Sequence, residues 1–301
     1  MDSVYLDLCQ ILGEKNVFTD EDMRKHTTFK AGGRVKYFVT PDNVEGLKNL
    51  LAYLKEHNMD YFVMGNGSNL LVRDEGYDGV VIKIGQNMSH CEVLDNKIKC
   101  MAGAFLSKIA RDAYENSLTG LEFAAGIPGM IGGAVAMNAG AYGGEFKDVV
   151  ESVTVMDKEG NVLDLKNDEM DFSYRHSIVF EKEYIVLSTV IKLEKGNKQE
   201  ISEKMNGFMD ARKEKQPLEY PSAGSTFKRP EGYFAGGLIE QAGLKGFSIG
   251  GAKISELHAG FVINDGGATA ADVLAVIEHT KKVVNEKFGV LLEPEVKCIG
   301  E

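Results

Sequence analysis

Two stretches of this 301-residue sequence carry residue types and spacings that do chemistry through the backbone. The first, Tyr61-Phe62-Val63-Met64-Gly65-Asn66-Gly67-Ser68-Asn69-Leu70-Leu71, reads as a strand entering a loop whose two glycines can take positive φ. Such a loop turns successive N–H groups inward and makes a nest for an anion, with Ser68 and Asn69 adding side-chain donors. Neither general phosphate motif fits: the P-loop lysine is missing, and Leu70 stands where a GxGxxG fingerprint needs its third glycine. A tight turn explains the same residues equally well. The second stretch, Gly126 to Gly144, has seven glycines in 19 residues and no charge. Backbone this bare lets a large flat ligand lie against it, with amides supplying the hydrogen bonds; a glycine-lined packing seam is the alternative. As a helix the stretch is poor, because each glycine costs about 1 kcal/mol relative to alanine. Taken together, the two loops favour a planar cofactor that carries a diphosphate.

Other residue clusters carry less. Arg212-Lys213-Glu214-Lys215 is a charge run at the end of a helix, where cations are favoured and usually solvated. The six histidines show neither HxxxH nor HExxH spacing, so no metal site is expected. The GxSxG elbow and the kinase motif set are also absent.

The elements that position the loops are legible from periodicity. Apolar residues at helical spacing predict helices over Val4 to Leu12, from Val44 to Leu54, from Leu106 to Tyr114, and through Val273 to Val284. Strands are predicted at Val35 to Val39, Tyr61 to Met64 and, after an apolar stretch at Leu70 to Val72, at Val80 to Ile84, closing a small mixed unit. A hairpin then pairs Cys91 to Leu94 with Ile98 to Met101 around Asp95-Asn96. Further strands fall at Val149 to Met156, Val162 to Leu165 and Tyr184 to Leu193. A charged Gly/Asn-bearing boundary follows, then a polar helix over Ile201 to Lys215, a proline-bearing loop from Gln216 to Pro230, a short helix over Phe234 to Ala242, and strands at Phe261 to Asn264 and Val296 to Ile299. Three segments result: 1–84, 85–197 and 198–301.

Composition bounds the rest. Glycine is 34 of 301 residues, about 11% against a usual 7%, without the strict period of collagen. A net charge of −11 argues against a nucleic-acid binder, although cations are relatively concentrated after Ile201. The four cysteines form no CxxC pair and follow no disulfide framework, which reads as buried, reduced thiols. No basic, apolar leader opens the sequence, and no apolar run approaches the roughly 20 residues of a membrane helix. A cytoplasmic monomer without membrane contact is expected.

Six segments, in order along nearly the whole chain, resemble the UDP-N-acetylenolpyruvoylglucosamine reductase (MurB) family. They are HTTFKAGG at His26 to Gly33, GNGSNLLVRD at Gly65 to Asp74, GIPGMIGGAVAMNAGAYGG at Gly126 to Gly144, YRHS at Tyr174 to Ser177, YPSAGSTFKRP at Tyr220 to Pro230, and LEPEV at Leu292 to Val296. The resemblance implies an α+β architecture: a two-subdomain FAD-binding fold of the vanillyl-alcohol oxidase type (1–84 and 85–197), then a substrate-binding α+β domain (198–301). The short YRHS region looks like the shorter of the family's two subtypes. The implied reaction reduces the enolpyruvyl ether of UDP-N-acetylglucosamine to UDP-N-acetylmuramate, with noncovalent FAD and NADPH as hydride donor, in peptidoglycan precursor synthesis. Cofactor contacts are implied from Gly65, Asn66, Gly67, Ser68, Asn69 and Leu70. A second set comprises Gly126, Ile127, Pro128, Gly129, Gly132, Gly133, Ala134, Asn138, Gly140, Ala141 and Tyr142.

The family's catalytic positions fall on Arg175, Ser225 and Glu295, and that chemistry can be tested against their residue types. Hydride added to the methylene carbon leaves negative charge that spreads into the substrate carboxylate as an enolate. A planar guanidinium at Arg175 suits that carboxylate. A serine hydroxyl is a weak acid, so Ser225 can protonate only a strongly basic carbon, and an enolate carbon qualifies. Glu295 beside an enolate makes sense as a hydrogen-bond donor, which calls for a raised pKa, whereas Glu293 is expected in solvent. Substrate contacts are implied for Tyr174, Arg212, Lys215, Lys228 and Arg229. A different flavin oxidase or dehydrogenase, and a non-redox sugar-nucleotide binder, are the rival readings; flavin content and substrate-dependent NADPH oxidation separate them.

Overall fold

The computed structural model describes residues 2–300. Its first helix, α1 (Ser3–Leu12), is capped by Asp2, which accepts the Val4 N–H at 3.1 Å, and it buries Leu8 and Leu12. Strands β1 (Val17–Asp22) and β2 (Arg34–Val39) precede α2 (Val44–Glu56), where the Asn43 side chain accepts the Gly46 N–H at 2.8 Å. The predicted apolar stripe of α2, Leu47, Leu50, Leu51 and Leu54, is buried. Strands β3 (Tyr61–Met64), β4 (Leu70–Val72) and β5 (Tyr77–Lys83) frame the first glycine loop. The expected hairpin forms as β6 (Cys91–Leu94) and β7 (Lys97–Met101), turning through Asp95 at φ 54°.

Helix α3 (Leu106–Glu115) and strand β8 (Leu118–Thr119) lead to the second glycine stretch. There a short helix, α4 (Ile131–Ala136), forms despite two glycines in its first turn. Intrinsic propensity is overridden because the Ile131 and Gly132 N–H groups donate to the Ala104 and Ala102 carbonyls, each at 2.9 Å. After it come β9 (Gly140–Ala141), β10 (Gly144–Glu145), β11 (Val150–Met156), β12 (Val162–Lys166), α5 (Ile178–Glu181), β13 (Ile185–Lys192) and β14 (Glu194–Lys195). The chain closes with α6 (Lys198–Lys215), α7 (Ala235–Gln241), β15 (Ser248–Ile249), β16 (Ala252–Ile254), β17 (Val262–Asn264), α8 (Ala270–Phe288) and β18 (Lys297–Ile299).

One sheet has the order β1-β2-β5-β3, with β3 and β5 parallel and joined through the glycine loop and β4 rather than through a helix. A five-stranded sheet, β12-β11-β13-β7-β6, is antiparallel throughout. A smaller sheet, β15-β16-β17, belongs to the C-terminal part, and the parallel pair β18-β4 ties residues 297–299 to 70–72.

The described chain divides into two compact units. The first comprises residues up to Thr19, then Tyr37–Asn66 and Gly79–Arg212; the second comprises Asp20–Lys36, Gly67–Asp78 and the chain from Lys213. These units do not coincide with the three contiguous segments read from the sequence. The reason lies in the second unit's own core, where Phe29, Ala31 and Leu71 are buried with Leu238, Ile239, Val273, Ile277 and Val284. Backbone runs close there: a Cβ added to Gly32 would fall 2.2 Å from the Val72 carbonyl oxygen. Asp74 completes the second unit by accepting the Ala270 and Ala271 N–H groups at 2.8 and 2.7 Å, capping α8.

Candidate functional site

In the first unit, the start of one glycine loop meets the start of the other. Asn66 Nδ2 donates to the Pro128 carbonyl at 2.8 Å, and a Cβ on Gly65 would touch Met130 at 3.4 Å. Gly67 takes φ +65°, as expected for a nest. The backbone N–H groups of residues 65–68 have no acceptor among the described residues.

The second loop sorts its glycines by what surrounds them. An added Cβ would lie 2.9 Å from the Ala102 Cβ at Gly132, 2.8 Å from Glu145 at Gly140, and 2.6 Å from the Phe123 ring at Gly144. Gly133 is exposed, and a Cβ there would meet nothing within 4 Å. Pro128 is exposed, and Gly129 beside it is half-buried, its carbonyl taking the Leu106 N–H at 3.1 Å. Ile127 packs on the core and Ala134 is buried. Ala141 pairs with Gly144 in a tiny hairpin whose tip, Tyr142 and Gly143, has positive φ. Helix α6 covers this region: the Tyr142 ring stacks on Phe208 with centroids 4.5 Å apart, and Met209 and Arg212 lie 3.1 Å from a Cβ position on Gly126. Burial pulls the Arg212 pKa down, partly offset by Tyr142. Sequence reasoning missed Phe208 and Met209, because the polar face of α6 hides their register.

Arg175 is held over the same loop. Ser173 and His176 exchange backbone hydrogen bonds at 3.2 Å, which makes Tyr174 and Arg175 the two-residue tip of a hairpin. Arg175 has φ +57°, a conformation a long side chain takes at a cost, of the kind that collects at functional sites. Both ends of the hairpin are pinned to the glycine stretch. Fully buried Asn138 donates to the Ser173 carbonyl at 2.9 Å, and Ser177 Oγ donates to the Ala136 carbonyl at 2.7 Å. Asn138 also donates to Glu145 and accepts the Lys147 N–H, each at 2.9 Å, so its side chain is spent on positioning. Hydrogen bonding from Lys147 lowers the Glu145 pKa against its desolvation, and Arg175 adds to the effect. Tyr174 is exposed, with the Arg175 guanidinium 5.0 Å from its ring centre. Beneath the tip, His176 lies 3.1 Å from Glu181 and 3.9 Å from Asp171, a trio whose donor atoms fall within 4.8 Å of one another.

In the second unit, Ser225 and Glu295 are neighbours through the backbone. Thr226 donates to the Gly260 carbonyl and accepts the Glu295 N–H, each at 2.8 Å, and its hydroxyl takes the Val262 N–H at 2.9 Å. Ser225, next to this anchored residue, is exposed, and Glu295 is half-buried. Asn69 joins them: its Nδ2 donates to the Glu295 carbonyl at 3.1 Å, and its own carbonyl takes the Lys297 N–H at 3.0 Å. Leu70 turns into β4 and is buried. Glu293 is exposed, as expected, and pairs with Lys228. Arg229 sits over the Phe234 ring at 3.9 Å, and Lys215 is exposed. Thr27 and Thr28, in the segment whose Thr28 N–H donates to the Gly67 carbonyl at 3.2 Å, bury hydroxyls without a partner among the described residues.

These observations fit a planar cofactor with a diphosphate. Unpaired N–H groups along 65–68 suit phosphate oxygens, and Gly133 leaves room where any other residue would project a side chain. The buried, unpartnered Thr27 and Thr28 hydroxyls mark polar capacity that the chain alone does not use.

Residues 35–166 match the model of an FAD binding domain, and residues 216–299 match that of the C-terminal domain of UDP-N-acetylenolpyruvoylglucosamine reductase. A UDP-N-acetylenolpyruvoylglucosamine reductase from Caldanaerobacter subterraneus subsp. tengcongensis is 56% identical over 294 residues, spanning 98% of this chain and 97% of that one. The chain belongs to the UDP-N-acetylenolpyruvoylglucosamine reductase family. Its namesake from Clostridioides difficile is 48% identical over 99% of this chain and 98% of its own. The crystal structure of the family's enzyme from Thermus caldophilus superposes with a TM-score of 0.81 at 36% identity, covering 93% of this chain and 98% of that one. The glucose dehydrogenase Phl p 4.0202 shares the fold alone, with a TM-score of 0.52 at 17% identity over 65% of this chain and 44% of its own. The expected α+β fold, an FAD-binding domain followed by the family's C-terminal domain, is thereby borne out.

Proposed function

We propose that this chain is a flavoenzyme that uses NADPH to reduce UDP-N-acetylenolpyruvoylglucosamine to UDP-N-acetylmuramate in peptidoglycan precursor synthesis. The observation that carries the reading is 56% identity, over nearly the full length of both chains, to a reductase of that name. FAD, bound noncovalently, supplies the hydride carrier. The N–H groups of residues 65–68 hold its diphosphate, and the backbone around half-buried Gly129 and exposed Gly133 receives the rest. Leu70, Ala134, Asn138 and Gly140 serve that site as supports rather than as direct contacts, since each is buried or packed within the chain.

Arg175 meets the substrate carboxylate and the enolate charge with a fork of donors, presented by a hairpin that is pinned at both ends. Ser225 donates the proton to the enolate carbon, and Glu295, kept protonated, donates a hydrogen bond. Tyr174, Arg212, Lys215, Lys228 and Arg229 contribute to substrate binding, with Arg212 and Lys215 as the diphosphate cations. The three-part organisation (1–84, 85–197, 198–301) stands as a functional division, supported by the five-stranded sheet lying wholly within 85–197. The protein works as a monomer in the cytoplasm, where NADPH and sugar nucleotides are made; no helix among the described residues is long and apolar enough to cross a membrane. Light scattering on the purified protein tests the monomer.

Separated half-reactions test the chemistry. Purified protein should be yellow, oxidise NADPH, and then reoxidise its flavin only with the enolpyruvyl sugar nucleotide. Ser225→Ala should leave the first half-reaction intact and slow the second by about 10²–10⁴. Equal slowing of both would make Ser225 structural, and NADPH consumption indifferent to the sugar nucleotide would defeat the reading.

A further inference from the structure

The sequence reads the four cysteines as unrelated buried thiols, but the fold places two of them face to face. Strands β6 and β7 pair antiparallel with Cys91 directly opposite Cys100. One step along the ladder, the Met101 N–H donates to the His90 carbonyl at 2.8 Å, so His90 and Met101 form the hydrogen-bonded pair. Cys91 and Cys100 therefore occupy the alternate, non-hydrogen-bonded position, where opposed Cα atoms approach to about 4.5 Å and side chains are closest. That spacing falls within the roughly 4.4–6.8 Å that a disulfide spans. We propose that Cys91 and Cys100 form a peroxide-sensitive modification site that closes to a cross-strand disulfide.

The pair is built asymmetrically, as stepwise oxidation requires. Cys91 is half-buried and reachable, whereas Cys100 is fully buried behind it. The Cys91 thiol donates to the Ser89 carbonyl at 3.6 Å; the neighbouring Cys100 holds the Cys91 pKa below the ordinary thiol value, while Cys91 and burial push that of Cys100 above it. Lys108 on α3 also favours the Cys91 thiolate, while Asp112 opposes it. In the first step the Cys91 thiolate attacks a peroxide oxygen; the S–O bond forms, the O–O bond breaks, and the leaving hydroxide takes a proton to become water. In the second step the Cys100 sulfur attacks the Cys91 sulfenic acid; the S–S bond forms, the S–O bond breaks, and water leaves with the Cys100 proton. Two thiols have then lost two electrons and two protons to one peroxide. The site lies close to the seat of α4, since Ala102, two residues beyond Cys100, holds the Gly132 N–H.

The test is peptide mapping of the native holoprotein after hydrogen peroxide treatment and alkylation. The expected result is a linked peptide pair containing Cys91 and Cys100, with Cys9 and Cys298 still alkylated and the link reversed by a dithiol reductant. The proposal is overturned if Cys91 proceeds to sulfinic acid beside a free Cys100, or if exposed Cys298 is consumed while Cys91 and Cys100 remain thiols. Cys91→Ser provides a second arm that keeps the buried cysteine in place. Cys100 should then survive peroxide as a thiol, and its loss at the wild-type rate would show that it is oxidised without Cys91.

Discussion

Two glycine-bearing loops, 65–69 and 126–144, ask different things of a residue without a side chain. In the first, Gly67 provides a left-handed backbone, and the gain is a run of N–H groups that the chain leaves unpaired. In the second, Gly132, Gly140 and Gly144 are there because neighbours already fill the Cβ position, and Gly133 alone of these four opens onto free space. Glycine enrichment is therefore not one signal. It marks conformation in one loop and mainly close packing in the other, where Gly133 offers open space on a helix and Gly143 at a hairpin tip.

Four substitutions press on that contrast. The second loop is entered past Glu122, a buried carboxylate. Burial raises its pKa, but hydrogen bonds from Thr119 and Gly120 and the charge of Lys204 outweigh this and leave it lowered. A lowered folded pKa stabilises the protein above the unfolded carboxylate value, about 4.3, and that contribution is lost as pH falls through the folded value. Glu122→Gln should cost about 1.5–3 kcal/mol near neutrality and flatten the acid limb of a melting-temperature series; an unchanged limb would refute the assignment. Gly132→Ala should lower stability by about 1–3 kcal/mol through overpacking against Ala102, measured by urea unfolding of the apoprotein.

Gly67→Ala should cost about 1–2 kcal/mol because alanine resists the left-handed conformation. It should also weaken flavin retention measured by ultrafiltration. The smallest effect has the opposite sign. Gly133→Ala lies in a helix with space around it, so it should stabilise the apoprotein by about 0.5–1 kcal/mol while loosening FAD. If Gly133→Ala destabilised the apoprotein as Gly132→Ala does, the distinction between the two glycines would collapse.

Much of this was legible in the sequence. The apolar stripes of α1, α2 and α8 and the hairpin at Asp95 are local signals, and local signals formed the elements they announce. Strand β1 went unread because its sequence, VFTDED, has too many acids for strand propensity to show. Helix α4 was hidden for a related reason: its stability comes from the Ala102 and Ala104 carbonyls, which lie about 30 residues upstream. The candidate site residues Arg175, Ser225 and Glu295 stand out in the sequence through the motifs that contain them. What supports them was not, because Asn138 and Ser177 act through contacts 35 and 41 residues away in sequence. The pairing of Cys91 with Cys100 likewise depends on register, which cysteine spacing alone cannot reveal.

One pairing in the second unit bears on how this molecule is born. Strand β4, Leu-Leu-Val at residues 70–72, finds its partner in β18, at residues 297–299 and therefore synthesised long after it. At roughly 5–20 residues per second, the nascent strand waits on the order of 10–45 s for that partner. Through that interval an apolar strand with unpaired edges is on offer to any neighbouring chain. A ribosome stalled just before residue 297 should therefore leave a product that aggregates.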